Sequence, residues 1–306
     1  MIDRRWDPAP DSDESSRVWR QSAVGTLISV SDAQAAQVPS SSAPIIAVAS
    51  GKGGVGKTTI AVNLALALHA QGHRVGLVDA DIYGPDVPRM LGLRRKQEAA
   101  SVTLFAASGL ARSRLEVVDR HGIQISSAAF LLGEDQGLGV QAGLAQLLVR
   151  RLIFDAAWTE VDYLVVDLPP GTADIQQFVF GMGTRDVFVL VVVTPQAIAH
   201  QDVRRLIADL GRHQAVTLGG VENMCSQICP SCGQTTELFP AAAPQESIWS
   251  SVPKLASVPY SYVAARDADL GKPTMVTGAV PEQVAAYSAL AFAVHRRIVG
   301  DEVPDG

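Results

Sequence analysis

The chain has 306 residues, 47% of them hydrophobic and 18% charged, with 25 basic against 31 acidic side chains and a formal net charge of −6. At about 150 residues per domain, that length allows one or two domains with a sizeable core, and the acidic balance argues against a nucleic-acid protein that binds through a basic face. Only three cysteines occur, all between Cys225 and Cys232, which excludes a disulfide-stapled secreted scaffold and reads instead as metal or redox chemistry in a reducing compartment.

Met1 to Ser42 is polar, with Asp11-Ser12-Asp13-Glu14-Ser15-Ser16 and Pro39-Ser40-Ser41-Ser42, and lacks the apolar stretch of a signal peptide. Residues 1–43 are expected to be a disordered tail, because such composition buries too little apolar surface to offset ordering entropy. A short helix at Ser16–Ser22 or Ser31–Gln37 is the one exception the pattern allows. From Ile45 the pattern changes. Ile45–Ala49 is a continuous apolar run, as in a strand buried on both faces. A glycine loop follows, then a helical pattern over Thr58–Ala70 with Ile60, Leu64 and Leu68 at helical spacing, ended by Gly72. Val75–Val78, Ile123–Ile125, Tyr163–Val166, Val187–Val193, Val216–Val221 and Lys254–Val258 read as further strands. Gly139–Phe154, Ile175–Met182, Ala197–Arg212 and Pro281–Val299 read as helices. Strands alternating with helices predict an α/β fold, a doubly wound and mostly parallel sheet covered on both faces. Leu93–Arg114 reads as a surface insertion and Asn223–Ser250 as a long loop carrying the cysteines. The longest apolar run, Val187–Val193, is too short to cross a bilayer, so a soluble cytoplasmic protein is expected.

Gly51-Lys52-Gly53-Gly54-Val55-Gly56-Lys57-Thr58-Thr59 fits the phosphate-loop pattern G-x-x-x-x-G-K-S/T and lies between a buried strand and a helix, as the mechanism requires. Its glycines let backbone N–H groups converge on phosphate oxygens, and the helix N-terminus adds partial positive charge. Gly51, Gly53, Gly54, Val55, Gly56, Lys57, Thr58 and Thr59 are therefore the candidate ATP-binding residues. Lys57 would reach the β- and γ-phosphates, and the Thr58 hydroxyl would ligate Mg²⁺. Asp79 and Asp81 follow one strand and Asp167 another. Ligands bind at the carboxyl ends of such strands, so these carboxylates face the phosphate loop.

Lys52, just after the first glycine, resembles the signature lysine of the deviant Walker A ATPases, the group of MinD, ParA, the arsenical pump ATPase and nitrogenase iron protein. That resemblance implies a homodimer in which Lys52 crosses to the second copy's nucleotide and acts as an arginine finger does. It also implies that Asp81 orients the attacking water, that Asp167 holds Mg²⁺ or its water, and that Asp79 supports the ion from further back. Gly171 and Thr172 look like a second switch loop. Asn223 matches the adenine-contacting position, although a plain strand-end turn residue is the competing reading.

Cys229-Pro230-Ser231-Cys232-Gly233 is a C-x-x-C pair, half of a site that needs four ligands. Two copies would close it across a two-fold axis, around Zn²⁺ or an iron–sulfur cluster. A thioredoxin-type pair opens a helix, whereas this one sits among Pro and Gly. Together with Asp79-Ala80-Asp81-Ile82-Tyr83-Gly84-Pro85-Asp86-Val87-Pro88, Asp167-Leu168-Pro169-Pro170-Gly171-Thr172, Val221-Glu222-Asn223-Met224, Thr194-Pro195-Gln196 and Gly271-Lys272-Pro273, the pair resembles the Mrp/NBP35 (ApbC) iron–sulfur carrier ATPases over residues 44–298. The resemblance implies a [4Fe–4S] cluster held by Cys229 and Cys232 of two subunits. It further implies an ATPase that governs cluster assembly or transfer to apo-proteins, cluster scaffold proteins as further partners, and no nucleic acid or membrane partner. The expected organisation is a tail at 1–43, an ATPase domain at 44–300 with its cysteine loop at 223–250, and a tail at 301–306. The sequence departs from the family in its polar N-terminus where many members carry a domain, in Ala173 for a glycine, in the missing Arg-Gly-Pro stretch near Gly139–Gly143, and in the extra Cys225. A ParA- or MinD-like partitioning or positioning ATPase is the alternative. It would call for a basic surface or an amphipathic C-terminal helix, and Pro281–Val299 reads better as a packing helix. A structural zinc ATPase is a third reading.

Overall fold

The alternating pattern resolves, in a computed structural model, into a nine-stranded sheet with helices on both faces. The structure describes residues 43–93, 114–130, 142–171, 174–182, 187–213, 215–229 and 231–300. The central strand β1 (Ile45–Ala49) pairs in parallel with β5 (Tyr163–Asp167) on one side and β6 (Val187–Val193) on the other. None of its side chains is polar because both of its faces are covered. Ile45, Ala47 and Ala49 enter one apolar cluster, and Ile46 and Val48 enter the other, which is the two-residue period of a strand. β6 splits the same way, with Val189, Val191 and Val193 against Leu190 and Val192.

The first cluster is filled by α3 (Ala142–Phe154), α4 (Asp174–Phe180) and α5 (Ala197–His213), the second by α1 (Lys57–Ala70) and α8 (Pro281–Val299). Helix α1 is apolar almost all round because it lies between the sheet and α8. Beyond β5 the sheet continues through β2 (Val75–Asp79), β4 (Ile123–Ser127) and β3 (Val118–Arg120). Beyond β6 it continues through β7 (Val216–Ile228), which pairs with both β8 (Thr235–Thr236) and β9 (Lys254–Tyr260). The chain runs outward from β1 to β2 and later returns to β6 on the other side of β1. The strand order thus reverses at β1, and the crevice at its carboxyl end is where sheets of this kind bind ligands.

Three features differ from the sequence expectation. The edge strand β3 is short, exposed and antiparallel, so no apolar pattern marks it. The short helices α2 (Val87–Met90), α6 (Tyr262–Asp269) and α7 (Thr274–Thr277) lie in stretches for which the sequence pattern predicted no element. The expected loop at 223–250 is corrected in part: β7 runs on to Ile228 and forms a hairpin with β8, so the cysteine pair sits in the short connection of a hairpin, while most of the stretch from 237 to 247 is irregular as expected. Residues beyond Asn223 are only partly buried. Backbone pairing with β8 and β9, not apolar burial, extends the strand, and backbone pairing leaves no hydrophobic signal. The expectations for the tails, and for the insertion between Leu93 and Arg114, fall outside the described residues.

Tyr287 on α8 is fully buried, and its hydroxyl has no hydrogen-bond partner among the described residues. An unpaired buried hydroxyl costs about 1–3 kcal/mol. Tyr287→Phe is therefore expected to raise the thermal midpoint of the ligand-free chain by a few degrees, whereas Tyr287→Ala opens a cavity and lowers it. Scanning calorimetry of both variants checks the two signs.

Candidate functional site

The phosphate loop leaves β1 at its carboxyl end and turns into α1 at Lys57. The turn demands glycine at two of its positions. Gly56 lies at φ 87°, a region L side chains avoid, and a Cβ there would strike the Asn223 amide. A Cβ on Gly51 would strike the backbone of Asp202 on α5. A cavity of about 470 Å³ opens over the loop, lined by Gly54, Thr58, Asp81, Arg89, Pro170 and Met224 among others. A larger hollow of about 650 Å³, between Pro44, Arg74 and Trp158, lies at the amino ends of the strands and holds none of the candidate residues.

Two carboxylates, Asp167 and Asp81, act on the loop lysine, and a third, Asp79, lies beside Asp167. Asp79 and Asp167 are register partners at the ends of the adjacent strands β2 and β5, and both are buried. One oxygen of Asp79 accepts from Ser127 Oγ at 2.9 Å and from the Val87 amide at 3.3 Å. Its other oxygen, and both oxygens of Asp167, have no hydrogen-bond partner among the described residues. Burial, and then Asp167, hold the Asp79 carboxyl well above the ordinary range. Burial pushes Asp167 up to about 7, against the opposing pull of the nearby Thr58 hydroxyl and Lys57. Lys57 is itself buried; desolvation lowers its pKa, while Asp167 and Asp81 raise it. Asp81 accepts from the Gly84 amide at 3.2 Å; burial raises its pKa and Lys57 opposes the rise. Buried carboxylate oxygens without donors suit a hard cation such as Mg²⁺.

Lys52 contacts its own chain: Nζ donates to Gln196 Oε1 at 3.3 Å. Two glutamines that sequence reasoning missed as site residues frame the loop. One is Gln196, and the other is Gln176 on α4. Gln176 is fully buried and donates to Pro169 O at 2.6 Å and Ser50 O at 3.4 Å. It thereby ties the segment after Asp167 to the start of the phosphate loop. Its one available signal was a polar residue among Ile175, Val179 and Phe180 on an apolar helix. Asn223 lies within β7 rather than at its end. It is buried and braces the loop by donating Nδ2 to Val55 O at 2.8 Å.

Six residues further on, β7 delivers the thiols. The Cys229 amide donates to Gln234 O at 2.9 Å and Gly233 N to Cys229 O at 2.8 Å, a tight hairpin end. The backbone amides of Ser231 and Cys232 donate to the Cys229 sulfur and hold its pKa below the usual thiol range. Among the described residues no group of three or more His, Cys, Asp or Glu side chains is placed to hold a metal ion. Cys225 therefore does not join the pair; its sulfur lies 3.7 Å from Ser226 Oγ.

A glycine cradle between strand and helix, with strand-end carboxylates on a doubly wound sheet, defines a P-loop NTPase. Residues 42–295 match the family described as ParA, NUBPL iron-transfer P-loop NTPase, and the chain belongs to that family. The "Iron-sulfur cluster carrier protein" of Haemophilus influenzae is 38% identical over 250 residues, which cover 81% of this chain and 64% of that protein, so this chain spans less than two thirds of that relative. The rat "Cytosolic Fe-S cluster assembly factor NUBP2" is 35% identical, covering 82% of this chain and 91% of its own length. A nucleotide-binding protein from Archaeoglobus fulgidus, solved in complex with ADP, superposes with a TM-score of 0.63 at 32% identity, covering 80% of this chain and 91% of that one.

The elevated pKa of Asp167 has a pH signature. An unperturbed aspartate ionises near 3.8 and folded Asp167 near 7, so the unfolded chain releases this proton first. The ligand-free fold therefore loses stability as pH rises through that window. Asp167→Asn removes the loss. It is expected to match the native chain near pH 4 and to exceed it by about 2–4 kcal/mol at pH 8, as read from denaturation midpoints.

Proposed function

We propose that the chain is an ATP-dependent iron–sulfur cluster carrier. Residues 44–300 bind and hydrolyse ATP, and Cys229 and Cys232 of two copies hold a [4Fe–4S] cluster as cargo for apo-proteins. One observation carries the reading. β7 places a thiol pair, able to supply only half of a four-thiolate site, six residues beyond the Asn223 that braces the phosphate loop. Membership of an iron-transfer family supports the same cargo.

Thr58 and Asp167, with Asp79 behind them, would hold Mg²⁺; the unpaired oxygens of Asp167 fit that ligand, which when bound supplies positive charge beside the β- and γ-phosphates. The loop amides and Lys57 bind the phosphates and place the γ-phosphoryl group opposite Asp81. Asp81, half-buried beside Lys57, orients the attacking water. Lys52 leaves Gln196 and meets the phosphates bound by a second copy, offsetting charge as it builds in the transition state. Gln176 passes movement of Pro169 to Ser50 at the root of the loop. At the hairpin, two N–H···S hydrogen bonds lower the pKa of the Cys229 thiol and so ease its deprotonation when metal binds. A ParA- or MinD-like positioning role leaves this thiol pair without a use, and no feature of the site favours it.

Anaerobic reconstitution with iron and sulfide tests the proposal. The native chain is expected to take up about two irons per chain, as a cluster shared between two copies requires, and to show charge-transfer absorbance that Cys229→Ala/Cys232→Ala abolishes. Retention of full absorbance and sulfide by the double variant would sink the assignment, as would zinc in place of iron in the anaerobically purified protein. Separately, Lys52→Ala is expected to lower ATP turnover by about a hundredfold or more while nucleotide still binds, measured as phosphate release against binding calorimetry.

A further inference from the structure

The strand that joins the two sites is clamped at one point and broken at the next. Glu222 accepts from Trp249 Nε1 at 3.2 Å and from Lys254 Nζ at 2.8 Å, and Asn223 holds Val55 O. Met224 follows at φ 56°, in the left-handed region that costs a non-glycine residue about 1–2 kcal/mol. The register with β9 breaks at the same place. Asn223 pairs with Val258, and the next pair is Gln227 with Tyr260, so β7 spends more residues than its partner and bulges. The Met224 side chain lines the phosphate cavity, with its Cε beside Gly56. Five residues later come the thiols. The ATPase chemistry described above makes no use of this side chain.

We infer that Met224 is a positioning residue that relays occupancy of the nucleotide cavity to the thiol hairpin. A nucleotide seated against the thioether moves the bulge. Glu222 and Asn223 hold the strand upstream, so the displacement passes downstream to Cys229 and Cys232. The strained backbone suits a relay, because a conformation only slightly above its alternative shifts with modest differential contact. This path runs along β7 and is independent of the segment that follows Asp167. It rests on the reading of the cavity as an ATP site and of the hairpin as the cargo site.

Site-resolved alkylation of the reduced, cluster-free full chain tests the relay. N-ethylmaleimide labelling of Cys229 and Cys232 is followed by peptide mass spectrometry, without nucleotide and with Mg²⁺ plus a non-hydrolysable ATP analogue at concentrations saturating each protein. In the native chain the nucleotide is expected to change the Cys229 rate about fivefold or more. Met224→Gly and Met224→Asn both accept positive φ but lack the thioether, and their response is expected to fall below about twofold. Met224→Leu, with an apolar side chain of similar reach, is expected to keep it. A full response in the Gly and Asn variants, or none in the native chain that calorimetry shows to bind the analogue, overturns the relay and leaves the ATP site standing. Absence of binding in the native chain overturns both.

Discussion

Buried carboxyl groups organise this molecule. Asp79 and Asp167 end two neighbouring strands inside the protein, where a carboxylate without donors is costly. Among the described residues, Lys57, itself buried, is the cationic side chain set against both Asp167 and Asp81. The phosphate loop exists to keep that lysine there: Gly56 turns the chain, Asn223 holds Val55, and Gln176 holds Ser50. Asp79 in turn spends one oxygen on Ser127 and the Val87 amide, so the same carboxyl anchors the start of α2. A ligand that adds positive charge between these groups relieves a cost the empty fold carries, which is why affinity for a cation is built into the backbone path rather than appended to it.

The second organising feature is economy of connection. One strand, β7, contributes a core residue in Val221, a brace in Asn223 and a hairpin in Cys229–Cys232. Its inner half is fixed by burial between sheet neighbours, and its outer half stands off the core on backbone pairing alone. The buried part braces the phosphate loop, and the lightly held part carries the thiols. That division suits the proposed function: phosphate binding needs a preorganised cradle, and thiols that were to receive and release cargo would need access.

Much of this was legible in the residues. The apolar runs at Ile45–Ala49 and Val187–Val193 are strands because burial on both faces permits nothing polar, and the loop from Gly51 to Thr59 lies where its spacing placed it. What escaped detection was held by backbone or by distant partners. The outer half of β7 has no hydrophobic alternation because it covers no core, and β3 is too exposed to show one. Gln176 and Gln196 acquire roles only when α4 and the β6–α5 turn come against the phosphate loop. Asn223 looked like a strand-end residue because the strand was expected to stop at Val221. Met224 carries no sequence mark of a left-handed backbone, since that conformation is imposed by the register break with β9.

The hairpin's two thiols have a consequence for mass action. On the proposed reading, a coordination sphere divided equally between identical chains would make cargo retention second order in protein: dilution would loosen the grip and crowding would tighten it, with no change in any bond length. Release then does not require a ligand to be displaced from an intact cage. It would require only that the halves part, and each chain would leave with its fold complete and with the Ser231 and Cys232 amides still holding the Cys229 pKa below the usual thiol range.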